Sequence, residues 1–135
     1  KQKVRHSPAE DGECTACHSP HGSAEKALLK KKTPALCYQC HDDEVSKQKV
    51  RHSPAEDGEC TACHNPHGSA EKALLKKKAP GLCYECHSKE DVVATKPHRK
   101  AGEADCTACH DPHKSANKGL LADGWETKLR ELEGK

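Results

Sequence analysis

The sequence lacks most of the residues that build a hydrophobic core. Its 135 residues include no Phe, no Met and no Ile, one Trp and two Tyr, and 33% are hydrophobic while another 33% are charged. The mean hydropathy is −1.01. A folded domain of this size normally buries its apolar side chains in one core. The composition therefore predicts that disulfides, metals or cofactors hold the chain together.

Further absences exclude classes of function. Twenty-three Lys and Arg against 21 Asp and Glu leave a net charge of +2, and aromatics make up 2%, so neither a basic surface nor base stacking favours nucleic acid. No apolar run approaches the roughly 18 residues of a membrane span. The chain opens Lys1-Gln2-Lys3-Val4 without an apolar signal region. We expect that any export signal has been removed or lies outside this sequence.

What the chain does have is cysteine in a strict repeat. Ten cysteines form five Cys-x-x-Cys pairs whose first members recur every 23 residues, and residues 1–41 match 47–87 at all but four positions. The repeat of 46 residues thus holds two pairs. Such periodicity predicts an array in which neighbouring units bury one another. We predict full repeats at 1–46 and 47–92, a half repeat at 93–121 and an amphipathic C-terminal helix or cap at 122–135.

A histidine follows every pair directly, and Cys-x-x-Cys-His is the attachment signature of c-type haem. The two thiols bond the vinyl carbons of one porphyrin edge, and the adjoining imidazole binds the iron. We therefore predict five covalent haem c groups. The attachment residues are Cys14, Cys17, Cys37, Cys40, Cys60, Cys63, Cys83, Cys86, Cys106 and Cys109, and the adjoining ligands are His18, His41, His64, His87 and His110.

Two other interpretations of the pairs are weaker. Zinc ribbons use similar spacings, but zinc needs no His after every pair, and five pairs cannot all combine two by two into four-Cys sites. Disulfide or thioredoxin-like redox pairs lie on a strand-helix scaffold that this sequence does not predict.

Six further histidines repeat in register with the motifs. Three lie before the first motif of a repeat, two of them in His-Ser-Pro and the one in the half repeat in Pro-His, and three lie in Pro-His just after that motif. They are His6, His21, His52, His67, His98 and His113. With no Met in the chain, we predict that they supply the second axial ligands. Bis-imidazole irons without Met ligation have low reduction potentials and no open position.

The ligand map stays open at the level of sequence. His21 lies three residues beyond His18, so we expect it, like His67 and His113, to bind a different haem from that of its own motif. The Pro-His residues could reach forward or backward along the chain. Ten histidines close five irons and the chain has eleven. The surplus one, His113 or His21, could ligate a haem of a neighbouring chain or of the next segment of a longer chain, or it could lie idle in solvent.

The segments Gly12–Ser23 and Leu36–His41, with Leu28-Leu29 between them, resemble the doubled CXXCH family of multihaem cytochromes c over about residues 1–121. The resemblance implies covalent bis-His haems, export before haem attachment, and electron transfer in the periplasm or outside the cell. It also implies redox partner proteins or extracellular acceptors. Some similar proteins polymerise into filaments with histidines donated between subunits.

The predicted fold is mostly irregular coil with short α-helices around haem, with little or no β-sheet. We expect helices from Ser23 to about Lys32 and from Ser69 to Lys78, one from Thr33-Pro34 through His41, and an amphipathic one at the C-terminus with Trp125, Leu129 and Leu132 on one face. We read the chain as a pentahaem electron carrier and not an enzyme. The alternative is a multihaem oxidoreductase with one open-site haem, and self-association into a filament is a further expectation.

Overall fold

The chain is mostly coil and turn, interrupted by short helices and two-residue strands. The structure is a computed structural model that describes residues 3–99, 101 and 103–134. The prediction of an irregular fold with short helices and little sheet is confirmed. The elements are β1 (Val4–Arg5), α1 (Ser7–Glu10), β2 (Val50–Arg51), α2 (Ser53–Glu56), β3 (Gly68–Ser69), α3 (Lys89–Ala94), β4 (Lys114–Ser115) and α4 (Trp125–Glu133).

Single turns of 3₁₀-helix make up much of the remaining local structure. Five of them coincide with the Cys-x-x-Cys pairs, three lie at equivalent places after the first pair of a repeat, and one precedes the last pair. Their bounds are Cys14–Ala16, Cys37–Gln39, Cys60–Ala62, Cys83–Glu85 and Cys106–Ala108, then Lys26–Leu28, Lys72–Leu74 and Lys118–Leu120, and finally Lys96–His98.

Two compact units divide the chain. The first combines the residues up to Glu44 with Ser53–Lys76, and the second combines Val45–His52 with the residues from Lys77 onward. None of the helices in the described ranges is long and apolar enough to cross a membrane.

Each unit contains one small antiparallel sheet. In the first unit β1 pairs with β3, which sets Val4 opposite Ser69. In the second, β2 pairs with β4 in the same register, which sets Val50 opposite Ser115. Each sheet therefore joins the start of one 46-residue repeat to the segment after the Pro-His of the next repeat.

The described part of the chain buries no hydrophobic side chain. Its buried polar residues are Ser69 and Ser115, at 6% and 8% exposure, and Leu28 is 44% exposed. Backbone hydrogen bonds and turns hold the segments together, but the described residues form no apolar core among themselves. This agrees with the expectation that covalent groups replace a core in this chain.

The C-terminal helix is confirmed, since α4 spans Trp125–Glu133 and its Lys128 and Glu131 side chains lie 3.5 Å apart. The predicted helices at 23–32 and 69–78 are wrong. Each contains only a 3₁₀ turn with a left-handed backbone at its Ala-Leu pair, such as Ala27 at φ 56°. Tertiary hydrogen bonds, described below, override the helix propensity there.

The helix predicted from Thr33-Pro34 through His41 is also replaced by separate turns. Tyr38 N–H donates to the carbonyl of Pro34 at 3.0 Å, and Cys37–Gln39 forms the 3₁₀ turn of the motif. Pro34 lies in a turn and not at the first position of a helix.

Candidate functional site

The five Cys-x-x-Cys-His motifs fold in the same way. Each begins with a 3₁₀ turn over its first three residues, and the backbone N–H of its histidine donates to the carbonyl of its first cysteine at 2.9–3.0 Å. Residues three apart on such a turn lie on one side of it. The two thiols therefore share one face, and the imidazole follows directly behind them. A porphyrin edge with an axial ligand requires this arrangement.

The ten cysteines all lie in the described part of the chain, and none of them forms a disulfide there. In the same part, no group of three or more His, Cys, Asp or Glu side chains is placed to hold a metal ion. Tetrahedral zinc sites require three or four protein ligands. An iron that takes four bonds from a porphyrin needs only two.

The first histidine of each repeat is oriented by the turn that follows it. Nδ1 of His18 lies 2.8 Å from the carbonyl oxygen of Ala27, and His64 and His110 make the same bond to Ala73 and Gly119 at 2.7 Å. Carbonyl oxygens only accept, so Nδ1 carries the proton and Nε2 is left to bind a metal. These three imidazoles are set in the tautomer that an axial ligand needs.

That orienting turn stores backbone strain. Ala27 and Leu28 have φ of 56° and 58°, and the second repeat has nearly the same values at its counterpart residues. A left-handed conformation costs a non-glycine residue about 1–2 kcal/mol. The half repeat has Gly119 at the position of Ala27, which lowers that cost. Strain kept at equivalent places indicates a functional constraint, here the carbonyl that accepts from the histidine.

Four pairs of imidazole rings face each other across a gap. Their centroids lie 6.1–6.2 Å apart with interplanar angles of 15–27°. Each pair combines one motif histidine with one of the six further histidines: His41 with His6, His18 with His67, His87 with His52, and His110 with His98.

The gap has the width that an iron requires. A metal–imidazole nitrogen bond is about 2.0–2.1 Å, and the ring centre lies roughly 1 Å further, so two imidazoles on opposite sides of one iron have centroids roughly 6 Å apart. Rings stacked directly on each other would be closer than this. The chain's residues therefore fit bis-histidine haem at these four places.

Three of the further histidines that face a motif histidine are also held by hydrogen bonds. Nδ1 of His6 lies 2.7 Å from the carbonyl oxygen of Pro66, and Nδ1 of His52 lies 2.8 Å from that of Pro112. His98 differs, since its Nδ1 lies 2.6 Å from Oγ1 of Thr95 in its own segment. Pro66 and Pro112 thus each orient the histidine of a preceding His-Ser-Pro.

Of the six further histidines, His113 and His21 have surroundings that differ from each other. The backbone carbonyl of His113 accepts from His52 N–H at 3.2 Å, and its own N–H donates to Asp111 at 2.9 Å. His21 is exposed and faces no imidazole and forms no hydrogen bond within the described residues.

Cysteines of consecutive motifs come together within each unit. Burial, and after it the thiol of Cys60 within hydrogen-bonding reach, raise the pKa of the Cys37 thiol to about 11. In the second unit the pKa of Cys83 is raised to about 11 by burial and by the neighbouring Cys106. The porphyrin edges that these thiols would carry are therefore adjacent.

Thiol pairs on turns, each with an adjoining imidazole, define a multihaem c-type cytochrome, in which covalently attached haem supplies the redox chemistry. The chain belongs to the family described as the doubled CXXCH motif, which matches residues 6–46, 52–92 and 98–132. No curated protein matches it. The resemblance inferred from the sequence is confirmed.

Sequence reasoning missed the groups that orient the histidines. These are mostly backbone carbonyls, at Ala27, Ala73, Gly119, Pro66 and Pro112. A carbonyl has no residue type, so composition cannot reveal it. One signal was present: Gly119 stands where the other two repeats have Ala, and a glycine between helix-forming residues indicates a left-handed turn.

Proposed function

We propose that the chain carries electrons along five covalently attached haem c groups, each iron bound by two histidines, and that it is an electron carrier rather than an enzyme. The facing imidazole pairs carry this proposal. All four of the pairs described above have the ring spacing that an iron between two imidazoles requires. An iron with both axial positions filled has no site for a substrate, so its role is electron transfer.

The ligand count is consistent with this reading. Four pairs use eight histidines, and the isolated position of His21 supports its assignment as the surplus one of the eleven. The remaining two are His64 and His113. His64 has the same Nδ1 anchor as His18 and His110, which supports its role as the axial ligand of the third motif.

We propose that the haems have low reduction potentials. The chain contains no Met to raise them. A hydrogen bond from Nδ1 to a carbonyl raises the basicity of the ligating imidazole, which stabilises the ferric state. His18, His64 and His110 all make that bond on the motif side, and His6 and His52 make it on the opposite side.

The path of the electrons follows the adjacent cysteines. Thioether bonds at Cys37 and Cys60 would bring the edges of the second and third haems together, and those at Cys83 and Cys106 would do so for the fourth and fifth. Closely spaced edges favour direct hopping from haem to haem. The polypeptide contributes spacing, ligation and dielectric.

We further propose that the protein acts after export, in the periplasm or outside the cell, with redox proteins or extracellular acceptors as partners. Chains would associate end to end when the surplus histidine ligates a haem of a neighbour.

The test is a haem count by mass together with low-temperature EPR of the purified oxidised protein. We expect five covalent haems per chain, all low-spin with two histidine ligands, and reduction at low potential by titration. A high-spin fraction in dilute wild-type protein would instead favour an oxidoreductase with an open iron. A colourless protein containing zinc would overturn the proposal.

A further inference from the structure

The segment Pro20–Ser23 is the one copy of a repeated edge that nothing covers in the described residues. Its counterpart in the second repeat, β3, is covered by β1, and the counterpart in the half repeat, β4, is covered by β2. The serine is 6% exposed in the first case and 8% in the second. Ser23 is exposed, and no strand in the described part of the chain pairs with it.

Comparison with the two covered edges shows which contacts are missing from this one. The carbonyls of Pro66 and Pro112 each lie within hydrogen-bonding distance of a histidine Nδ1, at 2.7 and 2.8 Å. The equivalent carbonyl of Pro20 accepts no such bond in the described ranges. His67, beside the covered edge, faces His18 at 6.1 Å, whereas His21 faces no imidazole. The missing partner is a short strand that ends in histidine.

One segment of the chain matches that partner and is unpaired. The strands that cover β3 and β4 are β1 and β2, each followed by a histidine. Shifted by a further 46 residues, the same place is Lys96-Pro97-His98. This segment is a 3₁₀ turn that pairs with no strand in the described residues, so it must extend to serve as the covering strand.

Pro97 is compatible with strand pairing at this position. In the covered edge, His52 N–H donates to the carbonyl of His113 at 3.2 Å, so these two residues form a hydrogen-bonded pair. Arg51 and Lys114, the next pair along, therefore form a non-hydrogen-bonded pair. Pro97 corresponds to Arg51, so its missing N–H removes no bond from the ladder.

We propose that Pro20–Ser23 is a docking edge for the Lys96–His98 segment of a second copy of this chain, and that His21 then ligates the iron held by His110 of that copy. The contact would repeat an interface that the chain already forms once within each unit. The resulting contact is head to tail and continues from copy to copy. The ligation part rests on the proposed bis-histidine function.

The ligand exchange is supported by an irregularity at the last motif. His6 and His52 face the second motif histidine of their own repeats, at His41 and His87. The half repeat has Glu133 at that place, and His98 instead faces His110. When a second copy docks, one iron–nitrogen bond forms to His21 and one breaks to His98. The Nδ1 of His98 then moves from Thr95 to the carbonyl of Pro20.

The first test measures the mass of the haem-loaded protein by analytical ultracentrifugation over a range of concentrations. We expect the weight-average mass to rise at least twofold. His21→Ala should shift the rise to concentrations higher by roughly tenfold or more, while Lys26→Ala, at an exposed residue outside the edge, should not shift it. A wild type that stays monomeric, or equal behaviour of the two variants, would overturn the proposal.

The second test separates the inference from the proposed function. In His98→Ala, the fifth iron loses its ligand within the chain, so dilute protein should show about one high-spin haem in five. Concentrating it should restore the low-spin signal as His21 of a second copy binds, and the double variant His21→Ala/His98→Ala should stay high-spin. A high-spin signal that persists at every concentration overturns the inference alone. Its absence in dilute His98→Ala contradicts the proposed ligation by His98.

Discussion

The first two repeats have almost the same sequence and different surroundings. They agree at all but four of 41 aligned positions. Their 3₁₀ turns and the hydrogen bonds that orient their first motif histidines are the same. Yet Ser23 is exposed where Ser69 is 6% exposed, and Gly12 is open where Gly58 abuts Pro34. Local sequence thus determines the conformation of a repeat, while burial depends on which segment lies before it in the array. Matched substitutions in the two copies can separate these contributions.

Removal of haem should have the largest effect and should abolish the difference between the copies. Neither copy contains a buried hydrophobic residue in the described part of the chain. We expect the chain without haem, with its thiols kept reduced, to lose cooperative unfolding because conformational entropy then outweighs burial. Amide hydrogen exchange would show uniform loss of protection relative to the haem-loaded protein. A cooperative thermal transition in the haem-free chain would contradict this expectation.

Substitution of the two Pro-His residues should separate the copies next. His67 faces His18 and His21 faces no imidazole. We expect His67→Ala to convert about one haem in five to the high-spin state, because an axial ligand is lost. His21→Ala should leave the spectrum of dilute protein unchanged. EPR and absorption spectra of the two variants measure this, and equal spectra would show that the facing rings do not share an iron.

Two equivalent glycines provide a test of packing. Gly12 and Gly58 have φ of 75° and 78°, so alanine at either place costs about 1 kcal/mol for the left-handed backbone. A Cβ at Gly58 would also lie 2.3 Å from Cδ of Pro34, whereas one at Gly12 meets nothing within 4 Å. We expect Gly58→Ala to lower the free energy of unfolding by about 3 kcal/mol and Gly12→Ala by about 1 kcal/mol.

Denaturant unfolding of the haem-loaded variants gives both values. Because the two positions share one backbone conformation, their difference isolates the contact with Pro34. Equal losses of stability would mean that the neighbouring segment does not pack on the second repeat as described.

The extent to which the sequence predicts this molecule follows from the same distinction. The motif cysteines, their adjoining histidines, the scarcity of sheet and the C-terminal helix at Trp125–Glu133 all depend on local pattern, and they were predictable. The helix expected at 23–32 was wrong because the Ala27 carbonyl is required by His18 in a left-handed turn. The pairing of His18 with His67 could not be chosen from spacing, since it depends on how segments 49 residues apart pack.

The smallest expected difference concerns two serines with the same hydrogen bonds. Oγ of Ser23 donates to the carbonyl of Leu29 and accepts from Glu25 N–H at 2.9 Å. Oγ of Ser69 makes the same two bonds, to Leu75 and Glu71, but at a buried position. Alanine leaves the same two backbone groups without the hydroxyl in both copies.

Burial decides the cost of that loss. Water can replace the hydroxyl at Ser23, so we expect Ser23→Ala to lower the free energy of unfolding by about 0.5 kcal/mol. Water is excluded at Ser69, so the unpaired backbone groups in Ser69→Ala should lower the free energy of unfolding by about 1.5–2 kcal/mol. Thermal unfolding of the two haem-loaded variants measures the difference. If a second copy covers the first edge, the loss for Ser23→Ala should grow with protein concentration toward that of Ser69→Ala, whereas a loss independent of concentration would show that the edge stays in solvent.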